Sequence, residues 1–198
     1  MANIASLYVH GDGVPADMQE AVKWWKMAAD GGDIEAMNAL GAACIIGDDI
    51  PVNLEEAKKW FNEAAELGSA KAMHGLGAVF ESVAETSEDE EEAKQNYTVS
   101  RRWYQKAAKL GNVMSMLQLA YMYYEGIGTR RNPRSAFRWY NEAAEAGEED
   151  VPCRKYLSVC SIQVRQSAPW SIISIPMTRS MPFPGAISAR PPWSGRRM

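Results

Sequence analysis

One pattern of small, aromatic and glycine residues recurs four times in this chain. Each copy reads alanine (serine in the third copy), two residues, an aromatic pair, two residues, a double alanine, two more residues and a glycine. The copies end at Gly32, Gly68, Gly111 and Gly147, which are 36, 43 and 36 residues apart. Periods of this size are typical of stacked repeats. Because such repeats bury their apolar faces mainly against each other, this pattern constrains the fold more than any single residue does.

Within each copy the spacing predicts an amphipathic helix followed by a turn. In the second copy the apolar stripe falls at i, i+3, i+4, i+7 and i+8, and consists of Ala57, Trp60, Phe61, Ala64 and Ala65. The glycine after the double alanine suits the left-handed position beyond a helix C-terminus. Residues that favour N-caps occupy equivalent positions before the four helices: Asp17, Asn53, Asn96 and Asn132.

A second, shorter periodic stretch precedes each of these helices. Its apolar positions in the second copy are Met37, Leu40, Gly41 and Cys44. Gly41, Gly77 and Ala120 occupy equivalent positions, and small residues there suit a close crossing of two helices. The unit is therefore a helix–turn–helix. We predict an all-α fold, an α-solenoid of about four such repeats over residues 1–150.

Charge divides the chain into two parts. Residues 1–150 contain all 25 acidic residues and 14 basic ones, whereas residues 151–198 contain seven basic residues and no acidic one. An acidic repeat region argues against a nucleic-acid partner, because phosphate binding requires positive charge. The second part is rich in Ser, Pro and Arg, so we predict that 151–198 form a mostly disordered tail. The longest apolar run, 42–46, is too short to span a membrane, and we expect no membrane association.

Cysteine and histidine usage gives no sign of catalysis. Cys44, Cys153 and Cys160 form no disulfide framework, and no signal peptide is recognisable, so we expect a cytoplasmic protein. His10 and His74 lack metal-type spacing to these cysteines, and no nucleophile elbow, phosphate loop or dinucleotide fingerprint is present. We therefore predict a protein without enzymatic activity, cofactor or metal.

The repeats resemble a known family, the Sel-one-like repeat, a relative of the tetratricopeptide repeat. The first copy carries most of its pattern: Tyr8, Gly11, Gly13, Val14, Ala21, Trp24, Trp25, Ala28, Ala29 and Gly32. The resemblance covers about residues 1–149 and implies an adaptor for multiprotein complexes. A cysteine-rich branch of the family has been linked with hydrolase activity, which is the alternative function. This chain lacks the paired cysteines of that branch.

On the first helix of a repeat, one face carries none of the core positions. Across the copies it carries Asn38, Ala42 and Ile45, then His74, Ala78 and Glu81, then Leu117, Tyr121 and Tyr124. In relatives of this architecture the equivalent helices line the concave side of the superhelix. We predict that a monomer binds a protein or peptide segment there through Asn38, His74, Leu117, Tyr121 and Tyr124, because aromatic anchors dominate interface energetics. Ordinary surface beside the groove is the alternative at each position.

A third interpretation concerns the two ends. Met1 aligns with Met37, an internal residue of the second copy, and the pattern stops abruptly after Gly147. A truncated or frame-altered product with little independent function would show both features. It remains an alternative to the adaptor.

Overall fold

The computed structural model describes residues 2–47 and 50–146, and within them the chain is helical. The helices are α1 (Ala2–His10), α2 (Met18–Asp30), α3 (Ile34–Ile46), α4 (Leu54–Glu66), α5 (Ala70–Thr86), α6 (Glu90–Lys109), α7 (Val113–Glu125) and α8 (Pro133–Ala146). No strand occurs in this part of the chain. The predicted all-α repeat fold is confirmed. The expected disordered tail, 151–198, lies outside the described residues.

Three of the four predicted N-caps are confirmed. The side chains of Asp17, Asn53 and Asn132 each accept a hydrogen bond from the backbone N–H three residues further on, at 3.0 to 3.1 Å. These bonds satisfy donors that the first turn of a helix leaves unpaired. The registers of α2, α4 and α8 therefore follow from short polar residues at the predicted positions.

The fourth predicted cap, Asn96, is wrong. It lies inside α6, which is capped by Asp89, seven residues before Asn96 and 36 residues after the cap Asn53 of α4. The seven extra residues of the third copy lengthen α6, which has 20 residues against 13 in α4. Glu90, Glu91 and Glu92 occupy the first turn of α6, where negative charge interacts favourably with the helix dipole. These acidic residues favour an earlier start over one at Asn96.

The predicted left-handed glycines are confirmed where the structure describes them. Gly32, Gly68 and Gly111 have φ angles of 86°, 88° and 85°. At each, the chain reverses within three residues from the second helix of one repeat to the first helix of the next. Gly147 lies outside the described residues.

Small residues allow an aromatic ring to cross from the second helix of a repeat to the first. A Cβ atom at Gly41 would lie 2.6 Å from the Phe61 ring, and one at Gly77 would lie 2.5 Å from the Tyr104 ring. Ala120, at the same position of the next repeat, is completely buried. The prediction that these positions are helix crossings is therefore confirmed.

The first helices of neighbouring repeats lie side by side and share one face. Besides the packing of consecutive helices, α3 contacts α5 directly. Polar bonds also join these helices: Lys71 Nζ of α5 lies 2.9 Å from Glu35 Oε2 of α3. Between α5 and α7, His74 Nδ1 lies 2.8 Å from Ser115 Oγ. We call the face formed by α3, α5 and α7 the first-helix face.

Apolar side chains from both helices of each repeat form the core. Trp60 and Trp139, from the aromatic pairs, are 7% and 8% exposed, as expected of core residues. Cys44 is buried at the packing position predicted for it. Within the described ranges no helix is long and apolar enough to cross a membrane.

Candidate partner-binding face

The Asn38 side chain forms hydrogen bonds within the protein. Asn38 is 8% exposed, and its amide group exchanges two hydrogen bonds with the Ser69 hydroxyl, at 3.1 and 3.2 Å. Ser69 is also the N-cap of α5. The amide therefore joins the second repeat to the third and leaves little surface for a partner to contact.

His74 lies one period further along the same face and is half-buried between α5 and α7. Its ring centroid is 5.2 Å from that of Tyr104, and its Nδ1 atom contacts the Ser115 hydroxyl. Burial lowers the pKa of His74 below its ordinary value, which favours the neutral ring. A serine hydroxyl hydrogen-bonded to a histidine ring also occurs in catalytic triads, so a nucleophilic role for Ser115 has to be considered. Ser115 is completely buried, however, so no substrate could reach its hydroxyl.

Leu117, Tyr121 and Tyr124 lie on α7, and all three are half-buried. Leu117 and Tyr124 pack against the apolar cluster of the last two repeats. The guanidinium group of Arg131 lies 5.3 Å from the Tyr124 ring centroid, a cation–π distance. These three residues therefore combine a structural role with a partly accessible surface on the first-helix face.

Glu81 is the one charged residue among those named for this face, and the predicted contacts omit it. It is half-buried on α5, and its Oε2 atom accepts hydrogen bonds from the Tyr104 hydroxyl at 2.7 Å and from Gln118 Nε2 at 3.3 Å. Tyr104 belongs to α6 and Gln118 to α7, so this carboxylate joins three helices. The sequence feature that could have identified it is its position in the repeat. Glu81 is equivalent to Ile45 and Tyr124 of the neighbouring copies.

Desolvation dominates the electrostatics around Glu81. Burial raises the pKa of its carboxyl group, and the nearby charge of Glu85 raises it further, while the bonds from Tyr104 and Gln118 act in the opposite direction. Desolvation also raises the pKa of Glu85. Burial, together with the charges of Glu85, Glu81 and Tyr121, raises the pKa of Tyr97 to about 12. We call this group the Glu81 cluster, and its members are Glu81, Glu85, Tyr97, Tyr104, Gln118 and Tyr121.

The described residues show no centre suited to metal or thiol chemistry. They contain no group of three or more side chains placed to hold a metal ion. Desolvation raises the pKa of the buried Cys44 thiol, which favours the unreactive protonated form. The polar groups of the Glu81 cluster hold the Glu81 carboxylate in place between α5, α6 and α7.

Comparison with known families identifies the repeat. Four consecutive Sel1 repeats match residues 1–33, 34–69, 70–112 and 113–148. The chain belongs to the Sel1 repeat family. Each match contains one pair of helices, so the helix pairs of the structure are the units of the family. Sel1 repeat proteins generally mediate protein–protein interactions and are generally non-catalytic scaffolds.

Solved structures support the same assignment. A protective antigen of uropathogenic Escherichia coli that displays an SLR fold is 34% identical, with a TM-score of 0.67 over 80% of this chain. A Sel1 repeat protein from Oxalobacter formigenes is 29% identical, with a TM-score of 0.65 over 83% of this chain. The aligned parts cover 32% and 63% of those two proteins, so this chain spans less than two thirds of either. Among curated proteins, no sequence matches the chain.

Proposed function

We propose that this Sel1 repeat protein is a non-enzymatic scaffold that binds a segment of a partner protein along its first-helix face. The observation that carries the proposal is the half-buried carboxylate of Glu81, held between α5, α6 and α7 by Tyr104 and Gln118. A carboxylate in this position opposes stability, because burial disfavours its charged form. Groups that stability alone would not select are expected at functional sites.

The contact surface centres on α5 and α7. Towards the N-terminus, the Asn38 amide is already hydrogen-bonded to Ser69. The part of the face on α3 therefore presents mainly apolar groups to a partner. Towards the C-terminus the face carries the Glu81 carboxylate together with His74, Leu117, Tyr121 and Tyr124. Half-buried tyrosines present large, rigid contact areas and lose little entropy on binding. A partner segment lying across α5 and α7 would contact these groups.

Selection from a displayed library of random peptides tests the proposal without knowledge of the natural partner. The full chain serves as bait, and recovered peptides are titrated into isotope-labelled protein. We expect amide shift changes concentrated on α5 and α7. Failure to recover any peptide that binds specifically, or shift changes confined to α2 and α4, would overturn the proposal.

A pair of variants tests the contact residues themselves. Tyr121→Ala/Tyr124→Ala should weaken binding of the selected peptides at least tenfold. The matched control is Leu67→Ser/Leu110→Ser, which alters two exposed hydrophobic residues at the ends of α4 and α6. We expect this control to bind as the wild type does. Circular dichroism and thermal unfolding establish that both variants are folded. Unchanged binding by a folded tyrosine variant would contradict the assignment of these contacts.

A further inference from the structure

One oxygen of the Glu81 carboxylate remains available to accept a hydrogen bond. Both hydrogen bonds that Glu81 receives from the described residues, those of Tyr104 and Gln118, end on Oε2. Oε1 accepts none of the bonds in this part of the chain, and it is not among the enclosed unpaired atoms, so it keeps contact with solvent. A carboxylate oxygen has capacity for about two donors. The bonded oxygen therefore fixes the orientation of the group, and Oε1 keeps its capacity to accept a further donor.

No cation balances this carboxylate among the described residues. Glu85 lies one turn further along α5, and its charge adds to the unfavourable environment of Glu81. The ion pairs of this part of the chain involve other carboxylates: Glu20, Glu35, Glu55, Glu56, Glu91 and Glu142. Two like charges at i and i+4 repel each other, so a single positive charge placed near both would stabilise both.

Tyrosine side chains and a buried hydroxyl surround the two carboxylates. The hydroxyl of Tyr97 is close enough to Glu85, Glu81 and Tyr121 for their charges to raise its pKa. Ser100 is completely buried on α6, and its hydroxyl lies beside that of Tyr104, whose pKa it lowers.

We propose that the Glu81 cluster binds the cationic head of a lysine or arginine side chain carried by the partner segment. The Oε1 atom of Glu81 accepts its hydrogen bond, Glu85 supplies a second negative charge, and Tyr97 and Tyr121 offer aromatic surface beside it. This inference rests on the proposed function and specifies the chemistry of the partner. The occupant is a basic peptide segment of another protein, which suits a repeat region with 25 acidic and 14 basic residues.

The test is a double-mutant cycle between the full chain and a peptide recovered by display. The chain is wild type or Glu81→Gln, and the peptide carries arginine or its neutral isostere citrulline. We expect selected peptides to share one basic position, and replacement of its arginine by citrulline to weaken binding to the wild type about tenfold. Binding to Glu81→Gln should be weaker by a similar factor, and citrulline should then cause little further loss.

A matched control separates this carboxylate from general charge. Glu66→Gln removes an exposed carboxylate from the end of α4 and should bind the arginine peptide as the wild type does. Losses that multiply independently in the cycle, or an equal loss with Glu66→Gln, would overturn the proposal.

The outcomes also separate this inference from the proposed function. Peptides that bind the first-helix face without a preferred basic residue would leave the scaffold function standing and overturn the cationic site. Recovery of no binding peptide would overturn both.

A synthetic peptide of residues 151–198 provides the last comparison. If it displaces a selected arginine peptide from the wild type but not from Glu81→Gln, the cationic site belongs to the chain's own basic segment, and the proposal of a separate partner is wrong.

Discussion

The second and third repeats place different chemistry on the same geometry. In both, an aromatic ring from the second helix packs against a glycine of the first, Phe61 on Gly41 and Tyr104 on Gly77. Beyond the ring, the second repeat carries Ile45, whereas the third carries Glu81, which accepts a hydrogen bond from the Tyr104 hydroxyl.

The exchange of an apolar pair for a polar pair changes what this position contributes to stability. Phe61 is 4% exposed, and a Cβ at Gly75 of the third repeat would also lie 2.5 Å from its ring, so it holds two repeats together. Tyr104 is 1% exposed and equally well packed, but its hydroxyl orients a carboxylate that burial disfavours. The repeat architecture supplies the position, and two side chains decide whether it holds an apolar contact or a hydrogen-bonded carboxylate.

The largest effect should come from Phe61→Ala. Emptying this site removes the ring that contacts both neighbouring first helices, and the free energy of unfolding should fall by about 3–5 kcal/mol. Urea denaturation followed by circular dichroism measures it. A loss below about 1 kcal/mol would show that the second repeat does not depend on this contact in the way the comparison requires.

A smaller loss is expected from Tyr104→Phe, which gives the third repeat the aromatic residue of the second. The ring still packs on Gly77, but Glu81 loses a donor, so the free energy of unfolding should fall by about 2 kcal/mol at pH 7, typical of a bond to a charged group. In a Glu81→Gln background the same substitution removes only a neutral bond and should cost about 1 kcal/mol. Equal costs in the two backgrounds would mean that the hydroxyl does not stabilise a charged carboxylate.

The smallest effect has the opposite sign. Glu81→Gln keeps an acceptor for Tyr104 and removes the desolvated charge, so it should raise the free energy of unfolding at pH 7. The matched substitution Glu66→Gln, at an exposed position, should change stability by less than about 0.5 kcal/mol. Destabilisation by Glu81→Gln would contradict the view that this charge opposes folding.

The pH dependence of this gain follows from the raised pKa of Glu81. The folded state holds the proton more tightly than the unfolded state, in which the carboxyl group has its ordinary pKa of 4.5. Below that pH both states are protonated, and the charge makes no difference. As the pH rises through the folded pKa, the wild type loses stability relative to Glu81→Gln. Denaturation curves between pH 4 and pH 8 should show the difference growing, and a constant difference would show that charge is not its cause.

Sequence periodicity predicted the repeat register, the caps at Asp17 and Asn53 and the close crossings at Gly41 and Gly77. These features are local or recur at a fixed period, so a single sequence contains them. Asn96 failed as a cap because the extra residues of the third copy could lengthen either neighbouring helix. The acidic first turn of α6 decided the outcome.

The polar contacts of the first-helix face were not predictable in the same way. Glu81 is separated by 23 residues from Tyr104 and by 37 from Gln118, and neither spacing follows from the period of a helix. The internal hydrogen bonds of Asn38 likewise depend on Ser69, which lies 31 residues further on and caps α5. Such pairs become visible only when the repeats are stacked.

The most direct measurement is the pKa of the Glu81 carboxyl group, followed by NMR of the side-chain carboxyl carbon in the free protein and with a selected arginine peptide. In the free protein the pKa should lie above the ordinary value of 4.5, because burial and Glu85 outweigh the bonds from Tyr104 and Gln118. Saturation with the peptide should lower it, because a cation then stabilises the charged form. A pKa at or below 4.5 in the free protein, or one that the peptide leaves unchanged, would contradict a carboxylate held in place for a cationic partner.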